Sequence, residues 1–232
     1  MSPFRRSVSP TASGGRRNTS WTLCVVAFTA HCVSAANASA RTIVITDADC
    51  DQMAVISADA PRLGWAGVLN GVAEYGNHVI DVTQKTAFLI RYPFDKIPPG
   101  QRITKAEWVV PYAQAYPATG ARVQVRRLLQ EWGAGVSHQH RMTRPQRLEW
   151  HTPGAHGLGQ DRATKATATA TIKGSGEHTF NVTEDIELWY SGAVPNHGWL
   201  LTAEDPDSWV RAQSPFWGAP KGWKLRITFE PQ

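Results

Sequence analysis

Cysteine is nearly absent from this 232-residue chain, which has three, and two of them, Cys24 and Cys32, fall within the first 40 residues. Beyond residue 40 Cys50 stands alone, so no disulfide can close inside that part of the chain and a buried core must supply its stability. Long apolar runs are missing as well. The most apolar stretch, Trp21 to Val33, is interrupted by His31 and is too short to cross a bilayer. There is no G-x-S-x-G nucleophile elbow, no H-E-x-x-H and no glycine-rich phosphate loop. No motif asks for a cofactor or a metal, and none is expected.

Arg5, Arg6, Arg16 and Arg17 precede the apolar stretch, and Ala36-Asn37-Ala38 and Ala38-Ser39-Ala40 come after it. A charged start, a short apolar middle and an A-x-A end form the pattern of an export signal. Residues 1–40 are therefore expected to be a signal peptide, and residues 41–232 a single secreted or periplasmic domain with no membrane span in its mature form. The excess of positive charge leaves with the leader. Of 24 basic and 19 acidic residues, four basic and no acidic ones lie in the first 40, leaving 20 against 19. The pI of 9.3 thus overstates the charge of the domain, which has no net field to attract nucleic acid.

What the chain does have is alternation. Thr42–Thr46, Gln52–Ser57, His78–Val82 and Ala121–Arg126 read as strands. Phe88, Ile90, Tyr92 and Phe94 share one face of a half-buried strand that ends at Asp95 and Pro98-Pro99-Gly100, and Ile103 to Val110 begins the next. Alternation returns at Ala166–Ile172, His178–Val182, Gly198–Thr202, Ser208–Gln213 and Trp223–Phe229. Thr183–Tyr190, with acids at its start and Gly192 after it, reads as a short helix. Between Trp132 and Thr164 the period fails, as expected of a functional loop or a mobile excursion. About ten strands and one helix predict an all-β, jelly-roll-like antiparallel β-sandwich.

The stretch Leu89-Ile90-Arg91-Tyr92-Pro93-Phe94-Asp95-Lys96-Ile97-Pro98-Pro99-Gly100 with Ile103 to Trp108, and then Glu131-Trp132-Gly133, Trp150 to Ala155, Phe180 to Trp189 and Asn196 to Leu201, resembles the DNRLRE-type domain in order and spacing. The resemblance implies a jelly-roll carbohydrate-binding module of secreted prokaryotic proteins, with alginate-like acidic polysaccharide among the family's ligands. No literal DNRLRE string occurs. After Trp132, this chain has Ala134 and His138 where family members resemble one another by an acid and a second tryptophan.

Nine tryptophans remain beyond Trp21, a heavy load for an uncommon residue. Trp108, Trp189, Trp199 and Trp223 occupy inward positions of regular elements and are expected in the core. Trp65, Trp150, Trp209 and Trp217 lie near turns, where a ring face can stack on a sugar. Arg211 alternates outward beside Trp209. Arg141, with Arg144, Arg147 and Arg162, makes the 132–164 segment locally basic, and arginine forks hold carboxylates and sulfates. Trp217, Trp209, Arg211, Trp150 and Arg141 are therefore the candidate ligand-binding residues. His138 and His140, one residue apart, resemble half a metal site but lack a cysteine or fixed carboxylate nearby. These residues predict a non-catalytic module whose partner is a polysaccharide, acidic ones included. Two other readings fit the same residues: a structural or adhesive domain without glycan affinity, and a lyase or hydrolase using the 132–164 segment.

Overall fold

The computed structural model describes residues 39–69, 72–75, 79–213 and 222–232, with backbone alone for 65–69, 72–75 and 79. Strands form where apolar and polar residues alternate. β1 (Arg41–Thr46), β2 (Gln52–Ser57), β3 (Gly64–Leu69), β4 (Val72–Tyr75), β5 (Val79–Val82) and β6 (Thr86–Arg91) precede β7 (Gln101–Tyr116), the longest. β8 (Ala121–Arg127), the short β9 (His140–Met142) and β10 (Leu148–Glu149), β11 (Ala168–Ile172) and β12 (Gly176–Asn181) lead to α1 (Thr183–Tyr190). β13 (Trp199–Ala203), β14 (Trp209–Gln213) and β15 (Lys224–Pro231) complete the order.

The pairings between these strands are antiparallel, and two sheets face each other as a sandwich. The first is organised by β7. β12 pairs with its middle on one side, and on the other side β15 pairs with its first half and β14 with its end. β1 lies outside β15, and β5 outside β14. The second sheet runs β11-β8-β13-β6-β2-β3-β4. The described residues belong to one compact β unit.

Between the sheets lies one apolar interior containing Phe88 and Ile90 of β6, Trp108 and Val110 of β7, Val123 and Val125 of β8, Trp199 and Leu201 of β13, and Leu225 and Ile227 of β15. Its aromatic rings form a continuous chain. Phe88 meets Trp223 at a centroid distance of 4.6 Å, Trp223 meets Trp108 at 5.8 Å, Trp108 stacks on Trp199 at 5.7 Å, and Trp199 meets Trp189 of α1 at 4.7 Å. The four tryptophans expected in the core are there, Trp189 at 6 % exposure and the others at 0 %. α1 has the predicted span; Ile186 and Trp189 face inward, and Asp185, also buried, accepts hydrogen bonds from Trp199 Nε1 (2.7 Å) and Thr167 Oγ1 (2.6 Å).

Two expectations need correction. β6 is not half-buried: Leu89, on the face opposite Phe88 and Ile90, is as inaccessible as they are, all at 0 %. Nor is the 132–164 segment an excursion. Leu128, Trp132, Val136, Trp150 and Ala155 pack on Ala54, Ile56, Ala87, Leu89 and Leu200, the outer residues of β2, β6 and β13, and form a second core. The segment is a third layer that shields the back of the second sheet, and within it β9 and β10 make a small ladder.

No helix among the described residues is long and apolar enough to cross a membrane. Cys50 is a buried free thiol, and burial, reinforced by Asp47, Asp51 and Asp49, pushes its pKa up to about 12. It should resist alkylation by iodoacetamide at pH 8 in the folded protein and react fully in urea; comparable labelling in both states contradicts this packing. Trp150→Ala should lower unfolding free energy by about 3–5 kcal/mol in urea titrations, whereas a loosely attached segment would give a change below about 0.5 kcal/mol.

Candidate functional site

The five candidate residues separate into half-buried, buried and undescribed positions. β14 places Val210 and Ala212 in the core at 0 % exposure, so period two turns Trp209 and Arg211 to the outer face of the first sheet. There Trp209 pairs across strands with Tyr116 at the end of β7. The two rings lie near parallel, 15° apart with centroids at 6.0 Å, and Tyr116 is 54 % exposed. Arg211 lies two residues along the same face, with its Cζ 5.3 Å from the Trp209 ring centroid, a cation–π contact. Its cross-strand neighbour on β5 is Asp81, which accepts from Nε at 2.6 Å and Nη2 at 2.8 Å. Tyr116, Trp209, Arg211 and Asp81 therefore form one row across three strands. The bidentate pair fixes the guanidinium, and the outermost ring keeps open surface.

Trp217, the leading sequence candidate, falls outside the described residues, as does the side chain of Trp65. Trp150 is 4 % exposed and donates Nε1–H to Ser137 O at 2.9 Å, so its ring serves the second core and offers no open face. Arg141 is half-buried and donates from Nη1 to Glu131 O at 2.6 Å, tying together two parts of the third layer. Arg144 and Arg147 are exposed, whereas Arg162 is buried. The candidate arginines of this segment thus do not form one basic face.

His138 and His140 do not act together. His140 is buried, and its backbone N–H bonds Ser137 Oγ at 3.0 Å. His138 instead meets His156, with ring centroids 6.3 Å apart. Gly154 makes this possible: its φ is +78°, and a Cβ there would lie 2.8 Å from both Nε2 nitrogens. Among the described residues, no third histidine, cysteine or carboxylate completes a metal-binding group with them. Burial, then Arg162 and His138, pull the His156 pKa down to about 4, and burial lowers that of His138 too.

A groove of about 590 Å³ runs between β11, β12 and α1. Two ion pairs lie along it: Lys165 pairs with Glu184 at 2.9 Å, and Arg127 lies 3.4 Å from Asp185. The Lys165 ammonium holds Glu184 below the usual carboxylate range, the opposite of what a general acid requires.

No family model matches the chain, and no curated protein matches it.

A histidine held neutral by the fold destabilises that fold when it must take a proton. Since the folded pKa of His156, about 4, lies below its ordinary 6.5, the unfolded chain binds more protons between those values and stability rises with pH there. The melting temperature should fall from pH 6.5 towards 4, and His156→Gln should flatten that slope. An unchanged slope would remove His156 as its source.

Proposed function

We propose that this β-sandwich is a non-catalytic polysaccharide-binding module of an exported protein. The observation that carries this reading is the outward row of Tyr116, Trp209, Arg211 and Asp81. A sugar ring has apolar faces of axial C–H groups and an equatorial rim of hydroxyls. A flat, open aromatic ring meets the first, and a fixed guanidinium and carboxylate beside it meet the second. The row stands on paired strands, so its geometry exists before ligand arrives and little ordering entropy is lost on binding. The resemblance to DNRLRE-type domains and the leader-like first 40 residues support the same reading. Trp217, four residues past the end of β14, is a second stacking residue in this proposal.

Affinity electrophoresis through alginate, pectin, chitosan and sulfated glycans tests it. The protein should be retarded in at least one polymer. Tyr116→Ala and Trp209→Ala should each weaken retention about tenfold, equivalent to the 1.4 kcal/mol of a lost stacking contact, and Trp217→Ala should weaken it with the melting temperature nearly unchanged. Migration independent of every polymer would favour the structural or adhesive reading. Release of oligosaccharide products would favour a lyase or hydrolase.

A further inference from the structure

A cavity of about 340 Å³ opens where the third layer meets the middle of β8, the end of β13 and the turn between β5 and β6. Lys85, Gln124, His138, His156, Arg162 and Thr202 line it, and no carboxylate is among its lining residues. Arg162 is only 9 % exposed, yet its Nε and Nη1 have no hydrogen-bond partner, and neither does Thr202 Oγ1, at 1 % exposure. A buried guanidinium without a counter-charge is costly, and a native fold that retains one has a use for it or a partner to supply.

The nearest acid does not fill that role. Asp161 is fully buried and already accepts from three backbone N–H groups, those of His151 and Thr152 at 2.8 Å and of Gly157 at 3.1 Å. Its carboxylate organises the loop and leaves the arginine cationic but under-compensated; burial, with Arg126 nearby, pulls the Arg162 pKa down to about 10. Arg126 itself is engaged, donating to Gln124 Oε1 at 2.6 Å and to Ala163 O at 3.0 Å. A cation would be repelled here, even though His138 and His156 bring two imidazoles together. Neutral imidazoles can each still donate one N–H.

We infer that this cavity is an oxyanion-binding site, built for a carboxylate or sulfate group, in which Arg162 supplies the fork, Lys85 the charge at the mouth, and His138, His156 and Thr202 further hydrogen-bond donors. The site is separate from the aromatic row on the other sheet and does not depend on the function proposed for that row. Bound anion would also favour the protonated form of His156, so anion affinity should rise as pH falls from 7 towards 5. The groups facing that imidazole are Arg162, His138 and Asp161.

Thermal melts with sodium sulfate, sodium acetate and sodium glucuronate, against sodium chloride at equal ionic strength and glucose as the uncharged control, test the inference. Sulfate or glucuronate should raise the melting temperature saturably by about 4 °C or more at concentrations far above the dissociation constant. Arg162→Met, which keeps the buried stem and removes the fork, should abolish the rise. Lys85→Met, at an exposed position, should weaken it without affecting the unliganded fold. Imidazole resonances of His138 and His156 should shift during the same titration. Trp209→Ala should leave the effect intact, which separates this site from the aromatic row. Equal rises in wild type and Arg162→Met would mark a general salt effect and overturn the site, as would the absence of any rise together with unmoved imidazole resonances.

Discussion

The second sheet must be covered on both faces, and much of the structure derives from that requirement. β6 carries Ala87-Phe88-Leu89-Ile90 without a polar interruption, and β13 carries Trp199-Leu200-Leu201. In a strand these side chains point alternately to opposite sides, so one sheet partner can bury only half of them. The facing sheet takes Phe88, Ile90, Trp199 and Leu201; the segment after β8 takes Leu89 and Leu200. That segment has no periodicity of its own, and beyond the small β9–β10 ladder Asp161, Ser137 and the tryptophan N–H groups hold its backbone in place. Its rim against the sheet then leaves the polar cavity that Arg162 lines.

Tryptophan is used mainly as structural material. Each of four buried rings also places its N–H: Trp199 on Asp185, Trp223 on Gln213 O, Trp132 on His197 O and Trp150 on Ser137 O. A buried indole so tethered fills volume and fixes a neighbouring segment at once. In a domain without disulfides these bonds act as tethers within and between its layers. Among the tryptophans whose side chains are described, Trp209 differs because its strand turns it outward beside Tyr116.

The parts of the fold legible in the sequence are those where one physical signal acts alone. β2 and α1 have the expected limits, and β8 differs by one residue, because clean alternation or a helical apolar spacing with acids and glycine at its ends leaves little competition. β3 and β4 are not legible, since Gly64 and Gly67 interrupt any pattern. β7 runs six residues beyond its expected end because bulges near Thr104 and Ala113 reset the alternation that marks a strand in sequence. In the site, Arg211 beside Trp209 comes from period two alone. The burial of Trp150 does not, because only a sheet with a second apolar face could demand it. The meeting of His138 with His156 depends on Gly154, whose role lies in the space it leaves open.

β14 and β15 lie end to end along the same side of β7, and each is anchored by its own register. Ala212 stands opposite Tyr112 and Lys224 opposite Val109, so β7 advances only past Val110 and Pro111 while the residues from Gln213 to Trp223 separate its two partners along the chain. Pro111 sits opposite the gap, where its missing N–H breaks no ladder bond on that side. Each anchor is set by its own pairs with β7. A slip in one of these pairings therefore need not displace the other, much as two bolts on one rail hold independently.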